Sequence, residues 1–376
     1  MIYLLVIYFV TSMAIVYPRL NTDGLKVYKL LFFVLVLIAG LRYNVGVDTY
    51  SYTKDFQTFP TIYQLDFSYI KQSNYQILWI LFESLLRTFT SSFYVLQFTL
   101  AIFVNFVVFK TVRKYSISPF LTMVFYFLFF YFNLNMEILR ESIPICLLLV
   151  AIPFLMERKL IRYLIIATIA FFFHESGIIL FVVPFIFYIQ ISKKFYFIFI
   201  IVLFSISSIV SFYFTDFVTN LNFLFNKDKI SSYFTPVDRS SGTDLFIYIK
   251  YIIVPSLVLF ISFKTLTEME KKAIFLYIIC SILYVQIIGF FRIRDYFLLL
   301  FLISVSNAIV RGFRNKTYNK FFRIAYLSIF LFVFLFRYYY AETNQFNLYS
   351  NYYPYNSIFN EKIPESRMLI IKNLGK

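Results

Sequence analysis

The chain has 376 residues, 61% of them hydrophobic and 14% charged, a balance that gives a water-soluble fold of this size more apolar surface than it can bury. A formal net charge of +16 raises the question of nucleic acid, but no basic stripe interleaved with stacking aromatics falls in a soluble stretch, which excludes that partner. The two cysteines, Cys146 and Cys280, both sit inside apolar runs and so give neither a disulfide framework nor a thiolate metal site.

Apolar runs near the length that crosses a roughly 30 Å hydrocarbon core recur from end to end. Lipid offers no partner to an unpaired backbone group, so each run is expected to be a helix. Taken in chain order, the expected spans are 2–17, 26–41, 93–109, 118–133, 141–156, 160–173, 176–191, 195–214, 246–263, 273–289, 296–310 and 324–340. The first lacks the basic leader and small-residue cleavage site of a secretory signal and is retained as a span. The stretch 75–89 carries Glu83 and Arg87 and is short for a span, so the distribution of cations has to place it.

With 75–89 lying along the membrane surface, nineteen cations in short loops share one side with four acids, a net of +15, while the other side carries sixteen cations and fifteen acids. The basic side is then cytoplasmic. Counting 75–89 as a span would instead put Lys110, Arg113 and Lys114 outside. The sequence therefore predicts an all-α, polytopic membrane protein of about twelve spans plus one interfacial helix. It predicts a single transmembrane domain over 1–376, exterior loops at 42–92 and 215–245, an exterior tail at 341–376 and both termini outside. No internal repeat or pair of broken helices is visible.

The unusual polar residues share the exterior side. Arg42, Asp48 and Tyr50 follow the second span, Arg140 precedes the fifth, His174 separates the sixth from the seventh, and Arg292, Arg294 and Asp295 precede the eleventh. An arginine at a helix end is often only a snorkelling anchor. A cluster suits an anionic ligand better, because each guanidinium stays charged and can donate two parallel hydrogen bonds to a phosphate. His174, the one histidine, is either a cap for its turn or a general base towards a hydroxyl. Asp48 could bind an acceptor hydroxyl, orient a catalytic group, or pair with Arg42, and ion pairing is the favoured reading. One histidine and scattered acids do not make a metal site, and there is neither an Asp-x-Asp nor a Gly-rich phosphate loop. No cofactor is expected.

The segment Gly40-Leu41-Arg42-Tyr43-Asn44-Val45-Gly46-Val47-Asp48-Thr49-Tyr50 resembles the early exterior motif of the EpsG-like, Wzy-type polysaccharide polymerases, Leu-Arg-x-x-x-Gly-x-Asp followed by tyrosines. The stretch from Asn135 through Arg140 to Phe173-His174-Glu175-Ser176 is similar to that family's central block. Glu141 stands where glutamine is usual and Gly177 where alanine is common. The resemblance covers about residues 1–190 well and the remainder only in architecture. It implies a GT-C-like membrane glycosyltransferase that joins undecaprenyl-pyrophosphate-linked repeats of capsule, exopolysaccharide or O-antigen at the outer face of a bacterial cytoplasmic membrane. A chain-length regulator and a flippase are the candidate partners it implies. In that setting His174, Arg140 and Asp48 are the candidate catalytic residues, and Arg42, Arg292, Arg294 and Tyr50 the candidate substrate-binding ones. The alternatives are an O-antigen ligase, which differs in its acceptor, a polysaccharide-related transporter, and a membrane acyltransferase.

Overall fold

The computed structural model describes residues 2–46, 48–190, 192–220, 248–286, 290–312 and 352–360. The expected span at 324–340, most of the expected loop at 215–245, and the tail outside 352–360 lie beyond the described residues. Every regular element among the described residues is helical. Among the described residues three helices are long and apolar enough to cross a membrane, Phe93–Tyr115, Leu139–Met156 and Phe290–Gly312. Shorter apolar helices accompany them, including Ile2–Val16, Pro119–Phe129 and Leu160–Phe173. The chain divides into two compact units, the first made of Met1–Phe154, Ile161–Ile178 and Phe313–Lys376, the second of Leu155–Leu160 and Ile179–Gly312.

In the first unit, α1 (Ile2–Val16) is followed by α2 (Thr22–Gly40). Asn21 caps α2 by accepting from the Gly24 amide at 2.7 Å, one of the donors a helix start leaves unpaired. The stretch 42–92, expected as a loop, contains α3 (Thr49–Thr58), α4 (Phe67–Gln72) and α5 (Ile77–Phe89). Asp66 caps α4 through the Tyr69 amide at 2.7 Å. α5 has 13 residues, about 20 Å at 1.5 Å per residue, too short for a hydrocarbon core. Its faces are sharply divided. Trp79, Ile80, Glu83 and Ser84 are buried, while Ile77, Leu81, Leu85 and Phe89 are exposed.

α6 (Phe93–Tyr115) and α7 (Pro119–Phe129) follow, then a π turn at Asn133–Glu137, α8 (Leu139–Met156) and α9 (Leu160–Phe173). A buried polar knot fixes the π turn. Asn135 donates to the Tyr126 hydroxyl at 2.7 Å and accepts from Asn105 of α6 at 2.7 Å. Tyr131 reaches the Leu35 carbonyl of α2 at 2.6 Å. In an apolar setting such groups must find partners, so the knot sets the register of α2, α6 and α7. Pro144 lies inside α8 and has no amide hydrogen to give the carbonyl four residues before it, which belongs to Arg140. The first turn of α8 is thus both preceded by a π turn and loosened by a proline, features that recur at functional positions.

The second unit contains α10 (Ile179–Tyr188), α11 (Lys193–Asn220), a π turn at Ile249–Ile253 leading into α12 (Val254–Ile261), α13 (Glu268–Gln286) and α14 (Phe290–Gly312). α13 and α14 pack along their length, with Tyr277 and Phe301 stacked at 4.4 Å. Near one end Glu270 ties the pair together by accepting from Asn307 and Arg311, each at 2.6 Å.

Candidate functional site

Several chain reversals of the first unit meet at one end of it. The Tyr3 hydroxyl at the start of α1 donates to the Tyr352 carbonyl at 3.0 Å, and the amides of Tyr43 and Ile358 donate to the carbonyls of Asn356 and Leu41. Gln97, in the first turn of α6, donates to the carbonyls of Gly40 and Arg42 at 2.8 and 2.9 Å. The end of α2, the start of α6, the start of α8 and the 352–360 segment therefore share this end. The sequence pattern expected Arg42, Asp48, Arg140, His174, Arg292, Arg294 and Asp295 to share one site; the segments of the first four meet in the first unit, whereas the last three belong to the second.

Arg42 is completely buried. Its guanidinium donates to the carbonyls of Ala39, Val45 and Met136. Burial pulls its pKa down to about 10, opposed by the Glu137 carboxylate, and it remains a cation at neutral pH. This arginine closes the end of α2 and fastens the next loop to the π turn, which differs from the phosphate contact the sequence suggested. Glu137, which sequence reasoning did not single out, accepts from the Asp48 amide at 3.2 Å. Gly46 makes that approach possible. It has φ +104°, and a Cβ there would stand 2.8 Å from the Met136 carbonyl, so both backbone and space require glycine.

Asp48 opens α3, and its carbonyl accepts from the Tyr52 amide one turn later. Tyr50 is exposed on α3, whereas Tyr52 points back to α8. Arg140 donates to the Tyr52 hydroxyl, and its guanidinium lies over the Tyr75 ring at 4.4 Å, a cation–π contact. Tyr75 in turn donates to Asp55 of α3 at 2.8 Å. Arg140 is half-buried, and its Nε has no hydrogen-bond partner among the described residues. Nor does it form an ion pair with Glu141, Glu83 or any other described carboxylate, whereas Arg294 pairs with Asp295 and Arg311 with Glu270. Glu141 is buried. Beneath this group lies an apolar floor that includes Phe56, Trp79, Phe93, Leu139 and Ile143.

His174 ends α9 and is buried. The Ser176 amide donates to its Nδ1 at 3.2 Å, and the Ser176 hydroxyl lies 2.7 Å from the same atom. An amide only donates, so Nδ1 must be the acceptor; the hydroxyl then donates as well, and the neutral ring carries its hydrogen on Nε2. His174 therefore caps the short 3₁₀ turn Glu175–Ile178. Gly177 permits this geometry, since a Cβ there would stand 2.7 Å from the Ala170 carbonyl carbon and oxygen. Gln76, just before α5, donates to Glu175 at 3.2 Å and joins the His174 turn to the segment bearing Tyr75.

Arg292 and Arg294 belong to the second unit. Arg294 is buried, pairs with Asp295 at 3.0 Å, and lies over the rings of Tyr251 and Tyr284 at 4.2 and 4.9 Å. Arg292 lies beside Phe291. Among the described residues no group of three or more histidine, cysteine, aspartate or glutamate side chains could hold a metal ion. Among the described residues of unit one, the shared end holds a half-buried guanidinium that ion-pairs with no carboxylate, the Tyr52 and Tyr75 hydroxyls near it, and the His174 imidazole on an adjoining turn. Such a set suits the oxygens of a phosphate and the hydroxyls of a sugar.

No curated protein and no solved structure matches the chain. The pattern of the EpsG family matches residues 25–357, and the chain belongs to that family.

Proposed function

We propose that this EpsG-family protein is a polysaccharide polymerase of the bacterial cytoplasmic membrane that transfers a growing glycan from undecaprenyl pyrophosphate to a hydroxyl of a second lipid-linked repeat. The family is associated with polysaccharide biosynthesis. The observation that supports the finer reading is Arg140, a half-buried cation held by Tyr75 and Tyr52 and left without a carboxylate. A pyrophosphate supplies the missing charge and accepts parallel hydrogen bonds from the planar fork. On this reading about twelve helices span the bilayer, α5 rides at the surface with Ile77, Leu81, Leu85 and Phe89 towards lipid, and the shared end faces outward.

In the reaction the acceptor hydroxyl attacks the anomeric carbon, and the bond from that carbon to the pyrophosphate oxygen breaks with its electron pair on the oxygen. The hydroxyl proton ends on the released pyrophosphate. Arg140 opposes the charge growing on the leaving group, the kind of preorganised stabilisation that dominates many enzymes. His174, with Nδ1 engaged by Ser176, is better suited to donating from Nε2 to a phosphate oxygen than to accepting a proton. Asp48 orients the attacking hydroxyl, and Arg42 holds the loop that presents it. The His174 and Arg42 roles thus shift from the base and the phosphate contact suggested by sequence.

The test is the surface glycan of a deletion strain complemented with wild-type or Arg140→Ala protein. A polymerase predicts single-repeat products in the deletion strain and in the variant, and restored polymer with wild type. Full polymer without the protein, or accumulation of complete but unattached polymer as expected for a ligase, overturns the reading.

A further inference from the structure

α5 turns one acidic side chain inward. Glu83 is 3% exposed, accepts from the Trp79 indole one turn earlier, and lies on the same face as Trp79 and Ile80. That face covers the apolar floor beneath Arg140, where Trp79 and Leu139 belong to one cluster and Tyr52 and Tyr75 pack against it. Glu83 and Arg140 are thus of opposite charge type and near enough to interact electrostatically, yet form no ion pair, the guanidinium being stacked on Tyr75 and bonded to Tyr52. None of the roles assigned above uses this acid.

We propose that Glu83 is a positioning residue for Arg140, neutral while the site binds its anionic substrate and competing for the guanidinium once it ionises. The inference rests on the reading of Arg140 as the pyrophosphate contact. As a neutral acid Glu83 fills its place, keeps its bond to Trp79, and leaves the positive charge of Arg140 for the ligand. As a carboxylate in a poorly hydrated pocket it would attract the guanidinium strongly, drawing it off the Tyr75 ring and partly cancelling the charge a pyrophosphate needs.

The surroundings favour the neutral form. Burial pushes the Glu83 carboxyl up to about 8; the Trp79 bond and the Arg140 charge act against that rise, and the Asp55 charge adds to it. The charged and titratable groups facing Glu83 are Asp55 of α3, Tyr69 of α4, Tyr75 before α5 and Arg140 of α8, with Tyr52 reached through Arg140, Arg87 on its own helix and Glu175 reached through Gln76. Tyr69 and Tyr75 are both raised above the ordinary phenol value, chiefly by burial, so neither ionises in the same range. The result is a substrate affinity that declines as pH rises through the Glu83 transition.

The experiment uses the full chain in lipid nanodiscs and farnesyl pyrophosphate as probe, with affinities of wild type, Glu83→Gln and Glu83→Asp compared at about pH 7 and about pH 9. Comparison among variants removes the probe's own ionisation. Glutamine matches the neutral acid in shape, so Glu83→Gln should bind like wild type near pH 7 and roughly tenfold more tightly than wild type near pH 9. Glu83→Asp should keep the alkaline loss, which guards against a glutamine variant that fails to fold. Identical pH dependence in wild type and Glu83→Gln, or loss of binding near pH 7 in Glu83→Gln with Glu83→Asp unaffected, overturns the proposal. Glu83-dependent binding in a protein that makes no polymer keeps this inference and sinks the polymerase reading. Normal polymerisation with a pH response that Glu83→Gln leaves unchanged does the reverse.

Discussion

The Arg140 guanidinium sits 4.4 Å from the centre of the Tyr75 ring, and this contact sets its direction. Arginine packs flat on a ring and still presents its edge, whereas an ammonium has neither plane nor fork. Arg140→Lys should therefore keep the charge and still lower polymer yield by about tenfold or more, roughly the loss of one charge-assisted hydrogen bond. Tyr75→Leu removes the ring and should cost about 0.5–2 kcal/mol of substrate affinity, with Tyr75→Phe closer to wild type. Equal yields from wild type and Arg140→Lys at equal protein levels would reduce this arginine to an anchor.

The tautomer of His174 gives a second prediction. If the ring acts as a donor from Nε2, a side chain that supplies an N–H near the same place should restore part of the function, whereas a base has no such substitute. His174→Gln should retain activity about tenfold above His174→Ala. General acid–base catalysis is typically worth about 10²–10⁴, so a glutamine variant as inactive as alanine would return His174 to the role of base. Nitrogen chemical shifts of the single histidine report the tautomer directly.

The turn carrying that ring depends on Gly177. With a Cβ at 2.7 Å from the Ala170 carbonyl, Gly177→Ala collides with backbone, which yields less readily than a side chain. The expected outcome is a displaced His174, polymer reduced several-fold, and a lower melting temperature in detergent.

Glu83 also carries a stability prediction. Its folded-state pKa, about 8 through burial, exceeds the ordinary carboxylate value, so the folded protein holds this proton more tightly than the unfolded chain does. Stability from this group is then fully present below the ordinary carboxylate range and is lost as pH rises towards about 8. Glu83→Gln removes the titration, and its melting temperature should exceed that of wild type by more near pH 8 than near pH 5. A constant difference across that range would show that ionisation of Glu83 does not matter to the fold.

The sequence made the helices legible because lipid demands them: the expected runs 2–17, 93–109, 141–156 and 160–173 correspond to α1, α6, α8 and α9. α5 was legible as too short to span and as bearing Glu83 and Arg87. α3 and α4 were not, because Tyr50, Tyr52 and Tyr69 are as ordinary in an interfacial loop as in a short helix. Sidedness alone grouped Arg42, Asp48, Arg140 and His174, whose segments meet in the first unit, but grouped Arg292, Arg294 and Asp295 of the second unit with them too. The individual duties of the first four were not legible, since the carbonyls that hold Arg42 belong to Ala39, Val45 and Met136, which have no side-chain signature. Glu137 stayed hidden because its value lies in the Asp48 amide, brought to it by Gly46 and the π turn. The Asn105–Asn135 contact within the knot offered one signal, since paired asparagines in apolar runs need partners.

Arg42 supports a further prediction that separates architecture from binding. Each bond from a charged donor to a carbonyl contributes about 1.5–3 kcal/mol, and Arg42 makes three in a buried setting. Arg42→Lys, with fewer and differently placed donors, should lower the melting temperature and the amount of protein in the membrane, and the polymer made per molecule should fall less than in Arg140→Lys. A stable Arg42→Ala protein with selectively weakened pyrophosphate binding would restore the direct contact suggested by the sequence.

The last prediction concerns sidedness, on which the outward-facing reaction depends. Gln72 at the end of α4 and Lys159 between α8 and α9 are both exposed. α4 belongs to the segment 42–92 that the sequence expects outside, whereas Lys159 lies in the basic junction after the expected span 141–156, expected on the cytoplasmic side. Cys146 and Cys280 are buried, so the native thiols should react slowly with an impermeant reagent. In intact cells Gln72→Cys should be labelled and Lys159→Cys should be labelled only after permeabilisation. The positive-inside distribution gives that orientation its physical basis, since cations near helix ends are retained on the cytoplasmic side. Labelling of Lys159→Cys alone in intact cells would turn the shared end inward, where a lipid-linked repeat delivered to the outer leaflet could not reach Arg140.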